Sequence, residues 1–355
     1  MKPLKINIVL PFFTTRPGGG MKIMYEYANR LADRGHYITI LHSIKRPYTK
    51  IKSPVWWKQL QLKLRGLSKP GWFSFHSSIQ SLIVREISDK YVPDADITLC
   101  TWWEMAYMIT KLSASKGKRF NLIQDHETWK GYEDEVHKSY GLPVQNLVIA
   151  KHLQKLVENF KGGIPIHIPN AIDTYKFALK MPIEERNPLS VIMLYSEEKR
   201  KGTLYGIEAL SNVKKRIPGL EVTLFGVYDK PQLPEWINYY EKPKALEDLM
   251  NKNAIFLTPS LGEGWALPPA EAMACGCAVI CTNIGGHADY AIDNETALLV
   301  SVKNINDIID KLVLLLQDQG LRMKIAAQGN RFITERFSWE ASVNKMENCF
   351  YDALK

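Results

Sequence analysis

AIFLTPSLGEGWALPPAEAMACGCAVICT, residues 254–282, is the stretch that decides the fold. Ala254–Pro259 and Ala278–Thr282 are short apolar runs of strand type, and between them Pro268-Pro269 announces a helix. Proline is tolerated in a helix's first turn, where its missing N–H has no partner to lose, and it drives the residue before it out of the helical region. The spacing therefore predicts a helix from about Pro268, with Glu271 in its first turn and Glu263 in the loop before it. Strand, helix and strand in that order make a parallel crossover. The two carboxylates do not stack on one helix face, so they can reach different parts of one ligand. Ligands of open parallel sheets bind at the carboxyl ends of strands, where Thr258-Pro259-Ser260 delivers Glu263. Plainer readings stand beside this one: Glu271 interacting with the helix dipole, worth about 0.3–1 kcal/mol, and Glu263 as a solvated loop charge.

Working outward, the same alternation fills the chain. Lys5–Pro11 is a strand run, followed by the turn Gly18-Gly19-Gly20 and by Met21, Met24, Tyr25, Ala28 and Leu31 at helical spacing. Tyr37–Leu41, Asp96–Thr101, Phe120–Gln124 and Leu147–Ala150 are further strand candidates, with helical patterns at 76–90, 103–114 and 151–160. The pattern restarts with strand Leu189–Tyr195, a helix over Thr203–Ile217 that places Leu204, Ile207, Leu210 and Val213 on one face, strand Glu221–Gly226 and helix Ala245–Lys252. Three helical stretches, about 304–318, 320–336 and 338–354, close the chain. Such alternation predicts mostly parallel sheets covered by helices, in two doubly wound α/β halves with a boundary between 162 and 187.

The bulk numbers agree with two domains. A chain of 355 residues with 46% apolar and 23% charged residues has ordinary globular composition, and its length favours two cores, with a cleft between domains as the default site. Ile6–Phe13 is too short for a signal-peptide core or a membrane span, which points to the cytoplasm. Cys100, Cys275, Cys277, Cys281 and Cys349 form no C-x-x-C pair and no metal-spaced cluster, so they read as buried reduced thiols. The net charge of +9 is local: Arg34 to Arg85 holds ten Lys or Arg and no acid, leaving the remainder at about −1. That points to one anionic partner at one place rather than to a nucleic-acid coat. Within it, KIKSPVWWKQLQLKLRG (50–66) interleaves basic residues with Trp56, Trp57, Leu60, Leu62 and Leu64, and Trp72, Phe73 and Phe75 follow. Two readings fit: an anionic membrane surface met through residues 45–75, each cation contributing about 1 kcal/mol, or an insertion packing its tryptophans on the domain.

Three more constellations carry chemistry. Lys199-Arg200-Lys201-Gly202 puts three cations just before a helix start, which the dipole disfavours unless an anion such as phosphate is present; the alternative is a solvated run balanced by Glu197 and Glu198. Gly18-Gly19-Gly20 and Gly285-Gly286 each follow a strand and precede a helix, where bare backbone amides can approach a phosphate or simply turn the chain. In QDHETW (124–129), His126 lies between Asp125 and Glu127 at a strand's carboxyl end, where a structural and a site role weigh equally. Neither glycine cluster matches the G-x-G-x-x-G fingerprint, which weakens the rival reading as an NAD-dependent oxidoreductase or epimerase of nucleotide sugars. A second rival is a non-enzymatic nucleic-acid-binding protein using residues 34–85.

Taken together, PSLGEGWALPPAEAMACGCAVICTNIGG (259–286) resembles the signature of the family 4 retaining glycosyltransferases, of the kind that builds bacterial polysaccharides and other glycans. The resemblance extends to PGGGMKIMYEYANRLADRGHYITIL, IPNAIDTYKF, KRKGTLYGIEAL, PGLEVTLFG and FSWEASV. It implies two Rossmann-like domains facing each other across a cleft, the GT-B arrangement: 1–168 on the acceptor side, 169–336 binding the nucleotide sugar, and 337–355 a closing helix returning to the first. It further implies that Glu263 and the backbone from Gly264 through Trp265 and Ala266 to Leu267 hold donor-sugar hydroxyls, and that Glu271 binds the ribose. Lys201, helped by Arg200, neutralises the diphosphate together with amides of Gly19 and Gly20. His126, or Asp125 if the match slips by one, faces the reacting sugar, and the base lies near Tyr240 and Lys242 in a turn ending at Pro243. The expected partners are a nucleotide-sugar donor, UDP-sugar favoured, and a glycan or lipid-linked acceptor, with no metal, no other cofactor and no nucleic acid. One departure is plain: such enzymes often carry Gly-Arg before the Lys-Gly element, and Leu194-Tyr195 stands here, leaving Arg200 as the substitute cation.

Overall fold

The computed structural model describes residues 2–15, 17–48, 54–128, 130–160 and 163–355 apart from 65–68, without the side chains of Lys58 and Lys63. The chain forms two compact units, Met1–Asn170 with Glu340–Lys355, and Ala171–Trp339.

The first unit is built on a seven-stranded, all-parallel sheet. Its strands are β1 (Lys5–Leu10), β2 (Tyr37–Ser43), β3 (Gln80–Val84), β4 (Ile97–Cys100), β5 (Lys118–Ile123), β6 (Gln145–Val148) and β7 (Ile166–His167), in the spatial order β3-β2-β1-β4-β5-β6-β7. Its helices are α1 (Gly19–Asp33), α2 (Val55–Leu64), α3 (Trp103–Ile109), α4 (Glu133–Tyr140) and α5 (Lys151–Asn159). After its first residue β1 is buried throughout, as befits a parallel strand covered on both faces. Residues 76–90, expected to be helical, instead contain β3: Ile79, Leu82, Ile83 and Ile87 mimic a helical period, but pairing of Thr39–Ser43 with Gln80–Val84 prevails at this sheet edge. The pattern at 103–114 is helical only to Ile109, and the strand expected at Leu147–Ala150 begins two residues earlier.

The second unit carries six parallel strands: β8 (Ser190–Leu194), β9 (Glu221–Gly226), β10 (Ile237–Glu241), β11 (Ile255–Thr258), β12 (Ala278–Thr282) and β13 (Leu298–Val300), ordered β10-β9-β8-β11-β12-β13. Its helices are α6 (Thr203–Arg216), α7 (Leu246–Lys252), α8 (Leu267–Ala274), α9 (Ile305–Gln317) and α10 (Gln319–Arg336), after which the chain closes with α11 (Trp339–Leu354). One core joins Val191, Leu224, Leu257 and Ile280 of the strands to Leu210 and Val213 of α6 and Leu312 and Leu315 of α9. Leu204, expected on the buried face of α6, is 79% exposed. The helix is rotated because Gly206 lies against Met193 and Pro259, with no room for a side chain.

Helix α11 belongs to the first unit. Phe350 is fully buried, with its ring 5.0 Å from that of Phe120. Glu347 meets Arg34 at 2.7 Å and His36 at 2.8 Å, and Ser342 donates to the carbonyl of Pro169.

In both sheets the strand order reverses once, between β1 and β4 and between β8 and β11. At such a switch point the flanking crossovers run to opposite faces and leave a crevice at the carboxyl ends of the strands. The loops there position the candidate site.

Candidate functional site

In the second unit the loops after β8 and β11 are pressed together. Gly202 has φ 66° and ψ 17°, and a Cβ there would run into the carbonyl of Pro259, so only glycine fits. Just before it, the single 3₁₀ turn Lys199–Lys201 leads into α6, and Leu261 N–H donates to the Arg200 carbonyl at 2.7 Å. This packing sets Lys201 beside Glu263: Nζ lies 2.9 Å from each carboxylate oxygen. Ser260 Oγ donates to Glu263 Oε1 at 2.8 Å, and Arg200 Nη1 stands 3.8 Å from Oε2 while donating to the Gly262 carbonyl. The loop after β12 completes the enclosure, because Gly286 abuts the Glu263 backbone and Cβ. Glu263 retains 7% side-chain exposure.

The arrangement has a chemical meaning. One nearly buried carboxylate faces two cations, both in the loop that leads into α6. The excess positive charge and the aligned backbone dipoles favour an incoming anion, and a phosphate group suits them best.

The remaining expected residues fall as follows. Helix α8 opens at Leu267, one residue before the prolines, so Glu271 is buried in its second turn and no acid occupies the first. Of the backbone from Gly264 to Leu267, the Ala266 amide donates to the Gly286 carbonyl at 3.2 Å and its carbonyl accepts from Tyr290 Oη at 2.9 Å. Both groups are thus engaged within the protein. The Trp265 ring is turned inward onto Tyr290 and Phe337. Tyr240 lies in edge strand β10 rather than in a turn, and Lys242, at φ 44°, donates its amide to the Gly226 carbonyl.

In the first unit, α1 opens at Gly19, and the Gly20 carbonyl accepts from Gln124 Nε2 at 3.1 Å. Gln124 also donates to Thr101 Oγ1, which ties the loops after β1, β4 and β5 together. The His126 amide donates to Asp125 Oδ1 at 2.9 Å. The His126 ring meets His137 of α4, Nε2 to Nε2 at 3.2 Å, and His137 stacks on Phe160 at 3.7 Å between centroids. Burial, and then the neighbouring His137, push the His126 pKa below the ordinary imidazole range, against an opposing pull from Asp125.

Sequence reasoning missed His137, Ser260 and His287. The first lies on a helix whose signal was only the pair Val136 and Tyr140, four apart and buried. Ser260 is an ordinary polar residue until it donates to Glu263, and His287 is one until the loop bearing it packs against that of Glu263.

The cations of the acid-free segment are partly paired from outside it: Arg34 by Glu347, Lys45 by Glu86 and Arg46 by the buried Glu104. Lys50, Lys52 and Arg65, expected to contribute to the basic surface, lie outside the described residues, as do Arg16 and Trp129. Among the described residues no three His, Cys, Asp or Glu side chains converge as metal ligands, and no helix is long and apolar enough to cross a membrane.

Residues 180–332, which include Lys201, Glu263 and Glu271, match the family described as "Glycosyl transferases group 1". Anabaena HepE, solved in complex with UDP-glucose, superposes with a TM-score of 0.72 at 13% identity, covering 99% of both chains. The fold is GT-B. Phosphatidyl-myo-inositol mannosyltransferase of Mycolicibacterium smegmatis is 22% identical over 95% of this chain and 90% of its own length. An uncharacterized glycosyltransferase of Methanocaldococcus jannaschii is 35% identical, but that match spans only 26% of this chain and 26% of the relative. The seven- and six-stranded sheets are thus the two Rossmann-like domains of a GT-B chain.

Proposed function

We propose that the protein is a retaining glycosyltransferase that moves a hexose from a nucleotide-diphosphate donor, a UDP-sugar, to a glycan or lipid-linked acceptor. The observation that carries this reading is the Lys201–Glu263 pair with Arg200 beside it at the sheet's switch point. The match to group 1 glycosyl transferases and the UDP-glucose complex of Anabaena HepE support it. In the proposed reaction the bond between the sugar's anomeric carbon and the diphosphate oxygen breaks as the acceptor oxygen bonds to the same face. The acceptor's proton passes to the departing phosphate oxygen. No protein nucleophile is invoked; electrostatic stabilisation and positioning supply the catalysis. Lys201 and Arg200 meet the charge growing on the diphosphate, with amides of Gly19 and Gly20 as further donors. Glu263 and neighbouring backbone hold sugar hydroxyls, Glu271 the ribose, and the region of Tyr240 and Lys242 the base; His126 or Asp125 faces the reacting sugar. The reaction as written needs no metal or cofactor. A thermal-shift panel of UDP-, GDP- and dTDP-sugars tests the donor, since a ligand that binds only the folded state raises the midpoint. NMR of the product's anomeric proton tests retention. A chain stabilised by none of the donors but by NAD would overturn the assignment.

For the acceptor side we propose an anionic membrane surface at the cytoplasmic face. On α2, Trp56 is 56% and Leu64 77% exposed, Trp57 and Leu60 are exposed too, and the helix carries no acid. Trp72, Phe73 and Phe75 belong elsewhere: their rings lie within 5.5 Å of that of the buried Tyr25. The two readings of the segment therefore divide between its halves, with α2 as the half offered to lipid. The lipid in the name of the Mycolicibacterium relative, a phosphatidyl-myo-inositol mannosyltransferase, supports this choice. Sedimentation with vesicles should require anionic lipid and weaken with salt; binding indifferent to lipid charge contradicts the proposal.

A further inference from the structure

We infer that the imidazole of His287 reads the donor sugar: its Nε2 accepts a hydrogen bond from one sugar hydroxyl and so helps select which hexose is transferred. The inference rests on the donor site proposed above and names a residue outside the glutamate motif.

His287 follows Gly285-Gly286 in the loop after β12 and is 1% exposed. Its Nδ1 lies 2.7 Å from the Thr282 carbonyl oxygen. A carbonyl only accepts, so Nδ1 carries the proton and Nε2 presents a lone pair. That lone pair has no partner among the described residues. Burial lowers the ring's pKa, outweighing the pull of the Thr282 bond, so protonation of Nε2 does not resolve the vacancy. Buried polar groups are nearly always hydrogen-bonded, and one left unmatched calls for an explanation.

Its position supplies one. Gly286 abuts Glu263, so the turn bearing His287 and the loop bearing Glu263 form one wall, and the imidazole feels the charges of both Glu263 and Lys201. A second orphan lies in the same wall: Trp265 Nε1–H is buried without an acceptor. Both rings flank Tyr290, at 4.9 Å for Trp265 and 6.1 Å for His287. One unmatched donor and one unmatched acceptor complement hydroxyl groups, which both give and take hydrogen bonds. A diphosphate does not fit His287, because ionised phosphate oxygens have no proton to donate. The Lys201 ammonium is engaged with Glu263.

The test compares His287→Asn with the wild type. Asparagine keeps an N–H close to the Thr282 carbonyl while removing Nε2, and His287→Gln restores a distal acceptor. The probes are UDP and the nucleotide-sugar that most raises the midpoint in the donor panel, together with its 2-, 3-, 4- and 6-deoxy analogues. In His287→Asn, UDP affinity should hold, whereas affinity and kcat/KM for the full nucleotide-sugar should fall roughly tenfold, the scale of one neutral hydrogen bond. One deoxy analogue should lose the same factor against wild type and nothing further against the variant, and His287→Gln should recover part of the loss. Equal weakening toward UDP and the nucleotide-sugar, or independent losses for variant and every deoxy analogue, assigns His287 a structural role and overturns the inference alone. A wild type that binds no nucleotide or nucleotide-sugar overturns the donor site, and this inference with it.

Discussion

Replacing Lys201 by alanine separates the stability of the site from its chemistry. The ammonium holds both oxygens of Glu263 at 2.9 Å, and the two side chains retain 21% and 7% exposure. Charge-assisted hydrogen bonds are worth about 1.5–3 kcal/mol, but Glu263 keeps Ser260 Oγ and the nearby Arg200, and the pair is not wholly removed from water. The fold should therefore lose about 1–2 kcal/mol. Removing a preorganised charge from a developing anion is a larger matter: kcat should fall about 10²–10³-fold, equivalent to about 3–4 kcal/mol of barrier. Urea unfolding and steady-state transfer from the best donor, measured on one preparation under conditions where the variant is folded, give both numbers. Glu263→Gln and the double variant complete a cycle, in which the stability effects should be less than additive because the partners touch. A Lys201→Ala enzyme within a few-fold of wild-type turnover, or one whose loss merely follows its unfolded fraction, refutes the role given to the cation.

Gly202→Ala should cost about 2–3 kcal/mol by urea unfolding, through the left-handed backbone and collision with the Pro259 carbonyl, while Gly18→Ala, with open space around it, should cost much less. Glu347→Gln should lose about 1–2 kcal/mol at neutral pH. Burial raises that carboxyl's pKa, but hydrogen bonds from His36 and Arg34 outweigh it and leave it below the ordinary glutamate value. Its contribution is therefore present above that value and lost as pH falls through the lower folded pKa, so wild type and variant should converge in acid when unfolding is followed against pH. His137→Phe keeps the stack on Phe160 but removes the ring nitrogen facing His126. The His126 pKa, read by imidazole NMR, should rise, with Asp125 still favouring its charged form and burial still opposing it; an unchanged value would mean that His137 exerts no influence there.

What was legible in the sequence followed from burial on two faces. Strands β1, β11 and β12 are apolar runs because parallel strands between helix layers have no wet side, and the carboxyl ends of β8 and β11 named the loops where Lys201 and Glu263 were sought. Those residues are 62 positions apart, and only the strand reversal between β8 and β11 makes them neighbours. Errors arose where a local period met a tertiary constraint. Leu204 has the right spacing for the core of α6, yet the close approach of Gly206 to Met193 and Pro259 rotates it outward. Ile79, Leu82, Ile83 and Ile87 repeat like a helix, but the free edge of β2 claimed their segment as a strand. At α8 the prolines marked the helix correctly in kind, but Leu267 precedes them and moves Glu271 into the second turn. His137 and His287 left no trace because a histidine's role is set by what its second nitrogen meets, here another imidazole in one case and no described group in the other. The glutamate spacing is local and can be read from the sequence, whereas the unmatched nitrogen beside it exists only after three loops have come together. Selectivity among sugars would accordingly reside in residues such as His287, which the motif does not contain.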